Sequence, residues 1–252
     1  MGQYFNWVNF DKREYIDTAP WPNGQKLVEC TYLGCEETDA ALTMLAGEWA
    51  GDLVAFMGDY CRFENEIYPG RREVERRLGG MIFDDFLFDT CTDICGRFDY
   101  VGSHPEARRY VEHGGDYSME PYEGPFDIAI HSYRYVVNVS KREFVDRFRT
   151  AVRYIDGSTG RIVRYDPFPQ LMCSEADGLE YPDEINGLWF GDIVRPTDEH
   201  PGSGYRAVAQ DYSYWAPPSI TCPDEEIQRV IAEHGLSIAD RDILEQVNSH
   251  LR

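Results

Sequence analysis

A segment near the start of this chain recurs in its second half, and any fold must accommodate both copies. Tyr4–Asp17 reads YFNWVNFDKREYID and Tyr133–Asp146 reads YRYVVNVSKREFVD. The ungapped alignment pairs Tyr4 with Tyr133, Val8 with Val137, Asn9 with Asn138, Lys12-Arg13-Glu14 with Lys141-Arg142-Glu143, and Asp17 with Asp146. A second match follows in the same order: WAGDLV at Trp49–Val54 and WFGDIV at Trp189–Val194, each with an Asp-Tyr pair further on, Asp59-Tyr60 and Asp211-Tyr212. Self-similarity in a fixed order marks a repeated supersecondary unit. The expectation is an α/β (α+β) chain of two diverged strand-helix-strand copies packed as one pseudo-symmetric domain.

Local chemistry fills in the unit. The β-branched and aromatic residues of Tyr4–Phe10 and Ile128–Val139 suit strands. Asp11 and Ser140 follow at aligned positions, each with a glutamate three residues on (Glu14, Glu143), the spacing of a capping box that predicts a helix start. On this reading the Lys-Arg-Glu triplet is a helix start rather than a catalytic or anion-binding element. Phe144, Val145, Phe148 and Val152 continue at helical spacing to Asp156-Gly157, whereas Ala19-Pro20-Trp21-Pro22 stops the first copy early. A further helix is expected from about Thr38, with Leu42, Leu45, Ala46 and Trp49 on one face and an exit at Gly51, followed by a buried strand over Leu53–Met57.

These signals divide the chain into a first unit (1–100), a Gly- and Pro-rich linker or long loop (101–126), a second unit (127–220) and a C-terminal helical hairpin (221–252). In the hairpin, Ile227, Val230 and Ile231 precede a stop at Gly235, and Ile243, Leu244, Val247 and Leu251 follow a cap at Ser237.

Composition narrows the function classes. With 42% hydrophobic and 14% aromatic residues the chain can bury a full core. Its net charge of −21 disfavours direct binding to a nucleic-acid backbone and fits a soluble surface or a face that docks a basic partner. The N-terminus carries no export pattern, the longest apolar runs fall far short of a membrane span, and seven cysteines, an odd and sparse set, read as reduced thiols. A cytoplasmic protein with no membrane association is expected.

Met1-Gly2-Gln3-Tyr4, Val8-Asn9, Asp11-Lys12, Glu14-Tyr15, Trp49-x-Gly51-Asp52 and Gly58-Asp59-Tyr60 resemble a family of uncharacterised bacterial and phage proteins. The likeness covers the first sixty or so residues and implies provenance. No activity and no functional residue come with it.

No phosphate-binding glycine loop, HExxH, GxSxG or paired CxxC is present. Cys30 with Cys35 and Cys91 with Cys95 are loosely compatible with a metal site, at spacings wider than tetrahedral zinc usually shows. Asp52 and Asp59 bracket the strand at Leu53–Met57, and Asp192 follows glycine in the second copy. Asp84, Asp85, Asp89 and Asp93 cluster in FDDFLFDTCTD. Carboxylates at strand ends can hold a divalent ion and activate water, although aspartate after glycine is also an ordinary turn residue.

Charge, the abundance of tyrosine and the lack of a catalytic signature favour a non-catalytic, acidic, intracellular protein-binding factor of the inhibitor, immunity or defence-related kind, with a protein as its partner. The alternative is a metal-dependent hydrolase or transferase with Asp52, Asp59 and Asp192 as catalytic groups at the junction of the copies, and Asp84, Asp85 and Asp89 as metal ligands. A divalent metal is the cofactor that reading would need.

Overall fold

A computed structural model describes residues 3–22, 25–59, 61, 70–115, 120–150, 152–155, 162–174 and 187–208. Within them the chain is mixed α/β. The first sheet has the order β3-β1-β2-β4. β1 (Phe5–Asn9) runs antiparallel to β2 (Glu14–Ile16) and to β3 (Val54–Gly58), and β2 pairs in parallel with β4 (Thr92–Asp93). In the second sheet β5 (Tyr135–Asn138) runs antiparallel to β6 (Glu143–Asp146) and to β9 (Val194–Thr197), and β6 pairs in parallel with β10 (Arg206–Ala207). A separate ribbon joins β7 (Val152–Ile155) to β8 (Ile162–Arg164).

The predicted helix starts at Asp11 and Ser140 are β-hairpin turns instead. Asn9 Oδ1 accepts hydrogen bonds from the amides of Asp11 and Lys12, both at 2.9 Å, and Asn138 Oδ1 accepts from Lys141 N at 2.8 Å. A side chain that binds the backbone a few residues ahead reverses the chain without a helix. Arg13 and Arg142 complete the reversal in the left-handed region, each at φ 55°. The supposed caps serve a neighbouring strand: Asp11 Oδ2 accepts from Leu53 N at 2.7 Å, and Ser140 Oγ from Ile193 N at 3.2 Å. The two glutamates accept indole protons, Glu14 from Trp49 at 2.7 Å and Glu143 from Trp189 at 2.9 Å. The helix expected through Phe144 and Val152 is likewise β6, one 3-10 turn at Arg147–Arg149, and β7. Phe144 and Val145 are both buried, because both faces of β6 are covered. That pattern hides the alternation that would have identified a strand.

The asparagines' other atoms hold the Gly-Asp turns. Asn9 Nδ2 donates to Asp52 Oδ2 at 2.9 Å and Asn138 Nδ2 to Asp192 Oδ2 at 2.8 Å, with both asparagines fully buried. We expect Asn9→Ala and Asn138→Ala each to destabilise the protein by about 1–3 kcal/mol in urea unfolding, because a buried amide that bonds both the turn amides and the half-buried aspartate is lost. A cost below about 0.5 kcal/mol would show that the turns hold without the amide.

The other helices follow the sequence more closely. α1 (Leu27–Cys30) precedes α2 (Glu36–Ala46), which stops before the predicted exit at Gly51, and the buried strand forms as expected at β3. α3 (Arg71–Leu78) and α4 (Phe83–Thr90) follow. Residues 101–126, read as a linker or long loop, include the end of α5 (Asp99–Ser103) and all of α6 (Pro105–Glu112). Proline there starts a helix, as its missing N–H allows at the first position. The C-terminal hairpin expected at 221–252 lies outside the described residues, as do Tyr60 and the Asp211-Tyr212 pair.

One apolar cluster draws on both sheets, including Trp7, Trp49 and Phe56 from the first half and Val136, Trp189 and Val194 from the second. α7 (Phe168–Met172) ties the halves further. Beyond its end, Ser174 N donates to Phe56 O at 2.8 Å, and Gly58 N donates to Ser174 Oγ at 2.9 Å. Within the core, Arg147 Nη2 reaches Asp39 Oδ1 of α2 at 2.7 Å and Asp166 Oδ2 at 2.6 Å, and its Nη1 donates to Tyr133 O at 2.8 Å. Burial opposes the guanidinium charge, but the carboxylates of Asp166 and Asp39 outweigh it and raise the Arg147 pKa.

Candidate functional site

Beside the β4 edge of the first sheet lies a cavity of about 360 Å³, within the range of small-ligand sites. Parallel pairing brings Tyr15 of β2 level with Asp93 of β4, secured by Thr92 N to Arg13 O and Ile94 N to Tyr15 O, both at 2.9 Å. α6 supplies Tyr110, whose hydroxyl donates to Asp17 Oδ2 at 3.1 Å. The segment Glu120-Pro121-Tyr122-Glu123 closes the wall, docked through Tyr122 N to Val111 O at 3.0 Å. Gly96 is needed here, since a Cβ at that position would lie 2.6 Å from the Tyr122 ring.

The wall is acidic and aromatic. Asp93, Glu120 and Glu123 line it with Tyr15, Tyr110, Tyr122 and Phe88, and among the described residues no lysine or arginine does. Asp93 Oδ1 accepts from Asp17 N at 3.2 Å and Cys95 N at 2.9 Å, while its Oδ2 accepts from Cys95 Sγ at 2.9 Å. Burial raises the Asp93 carboxyl pKa against these bonds. It also raises the Tyr15 phenol, reinforced by Asp93 and Asp17. The Cys91 thiol is raised by burial despite its contact with Thr90 and the charge of Arg13. A protonated thiol and phenol are poor nucleophiles at neutral pH. The wall is better suited to holding a cation, which carboxylates and ring faces both attract.

Of the aspartates singled out from sequence, Asp93 lines this cavity and the others lie elsewhere. Asp52 and Asp192 are engaged in their hairpin turns, and Asp192 also pairs with Lys141 Nζ at 2.8 Å. Asp59 accepts from Tyr4 N at 3.1 Å at the end of β3. Asp84, Asp85 and Asp89 lie on α4, with Asp85 and Asp89 exposed. Asp84 has two other candidates near it, since burial and then the charges of Asp59 and Asp85 raise its carboxyl pKa. Among the described residues neither aspartate set places three ligand atoms within 4.8 Å of one another.

Most of the cavity escaped sequence reasoning. Cys91 and Asp93 had been singled out, but Tyr110 and Tyr122 fell in the presumed linker or long loop, where the signal was the alternation of acid and aromatic in Glu120-Pro121-Tyr122-Glu123. Comparison of the chain with protein-family models, with curated proteins and with solved structures finds no match. No described helix is long and apolar enough to cross a membrane.

Proposed function

We propose that this chain is a non-catalytic, acidic protein-binding factor, and that the cavity beside β4 receives a cationic side chain of a basic protein partner. The observation that carries the reading is a wall of three carboxylates and four aromatic rings with no lysine or arginine among its described residues. The net charge of −21 supports it by favouring encounter with a basic surface. An inhibitor, immunity or defence-related role in the cytoplasm is the biological form this binding takes. The alternative, a metal-dependent hydrolase or transferase, draws less support, because Asp52 and Asp192 are engaged with Asn9 and Asn138 of their own hairpins.

We further propose that the two sheets descend from one duplicated unit. Supporting this are the matching strand order and pairing sense, the paired Asn-Asp and Trp-Glu bonds, and the two arginines at φ 55°.

The binding reading is tested by titrating the protein with N-acetylarginine methylamide and with its neutral isostere, the corresponding citrulline amide, following tyrosine fluorescence. Arginine should bind at least roughly tenfold more tightly, a difference of ~1.4 kcal/mol, weaken as salt rises, and lose most of that preference in Asp93→Asn. Equal binding of the two amides, or none of either, would refute it.

A further inference from the structure

The loop between α1 and α2 carries a second constellation, separate from the acidic cavity. Cys30 closes α1, Cys35 precedes α2, and Glu37 lies in the first turn of α2. All three are fully buried, and one ligand atom from each lies within 4.8 Å of the other two. Cys30 Sγ is 3.5 Å from Glu37 Oε1, and the Thr38 hydroxyl is 3.3 Å from Cys35 Sγ.

These separations suit a tetrahedral ion. With Zn–S near ~2.3 Å and Zn–O near ~2.0 Å, the sulfur-to-oxygen edge of a tetrahedron comes to about 3.5 Å, the spacing found between Cys30 and Glu37. Thiolates select soft ions over magnesium or calcium, and a carboxylate completes a mixed set that zinc accepts. The Thr38 hydroxyl is placed to orient the Cys35 sulfur, as outer partners do in metal sites.

We propose that Cys30, Cys35 and Glu37 bind a zinc ion that pins the α1–α2 loop. On binding, each thiol gives up its proton to solvent and each sulfur forms a bond to the ion, while one Glu37 oxygen supplies the third protein ligand. Three protein ligands leave the fourth tetrahedral position to a water molecule, and the ion would brace the loop at a point where the halves meet. Asp166 N donates to Thr31 O at 3.0 Å, and Tyr32 bridges to Tyr165. The site differs from the binding cavity in residues and in chemistry, so either proposal can fail without the other.

The test uses the full chain, reduced, stripped of metal and checked by mass for free thiols. It is titrated first with cobalt(II), then with zinc, with bound metal counted by elemental mass analysis. Expected are one ion per chain, a thiolate-to-cobalt charge-transfer band that zinc abolishes, and a rise in Tm with zinc. Glu37→Gln keeps the side-chain volume, and its fold can be verified by circular dichroism without metal. It should weaken zinc binding by more than the roughly 10- to 100-fold that loss of an outer hydrogen-bonding partner costs. Cys35→Ser should remove the charge-transfer band, whereas Cys61→Ser should leave band and stoichiometry unchanged. The proposal is overturned if the reduced chain binds less than one equivalent, or if Glu37→Gln and Cys35→Ser bind as the parent does. Isolation of the chain with a Cys30–Cys35 disulfide and no metal would overturn it too, assigning the pair to redox chemistry.

Discussion

Replacing Arg147 with methionine is expected to destabilise the protein by about 3–5 kcal/mol at pH 7, measured by urea unfolding with an unchanged slope. The guanidinium is fully buried between Asp39 and Asp166, which are 5% and 0% exposed, so its removal leaves carboxylates in the core without their cation. The penalty should shrink on acidification, and the sign follows from Asp39. Burial already raises its carboxyl pKa against the pull of Arg147, and without Arg147 that rise can only grow. A carboxyl with a raised folded-state pKa contributes stability below its unfolded value and loses it as pH rises through the folded one. The variant should therefore recover part of its deficit between neutral and mildly acidic pH. A cost under about 1 kcal/mol, flat with pH, would mean that the buried charges are compensated from elsewhere.

Trp7→Ala should cost a comparable ~3–5 kcal/mol, for a different reason. Trp7 is fully buried, stacked on Phe168 with ring centroids 5.1 Å apart and packed on Phe56 at 4.5 Å. Alanine would open a cavity between β1, β3 and α7. Trp7→Phe should stay within about 1.5 kcal/mol of the parent, because among the described residues the Trp7 Nε1–H has no hydrogen-bond partner and the ring is held by packing. The two variants thus separate packing from polarity. A large loss in Trp7→Phe would show that the indole N–H is engaged in solution.

Both predictions concern residues whose importance is invisible in the primary structure, and the reasons differ instructively. Trp7 stands in a run read as a strand, which says nothing of its stacking on Phe168. Arg147 sits in what looked like an amphipathic helix, where an arginine belongs to the solvated face. Only the arrival of Asp39 from α2 and Asp166 from beyond β8 makes it a core residue. Glu14 and Glu143 show the same limit: three residues after a capping residue they match a helix start, yet each accepts a proton from a tryptophan far along the chain. Most of the acidic cavity was illegible for a related reason. Its walls come from β2, α4, β4, α6 and the 120–123 segment, and no short window of sequence contains more than a fragment of it.

The sequence by itself determined the mixed α/β class, the buried strand at β3, the helix at α2 and the correspondence between the two Asn-x-x-Lys-Arg-Glu segments. Those features depend on residue type and on spacing over a few positions, where side-chain size, branching and polarity act directly on the backbone. Only the tertiary structure decided that the repeated segments are hairpins rather than strand-helix units, that Arg147 is a buried counter-ion, and that Cys30, Cys35 and Glu37 share one buried corner. In each case the deciding interaction joins atoms from separate segments. It gains its strength from exclusion of water, a property that no residue has until the core has closed around it.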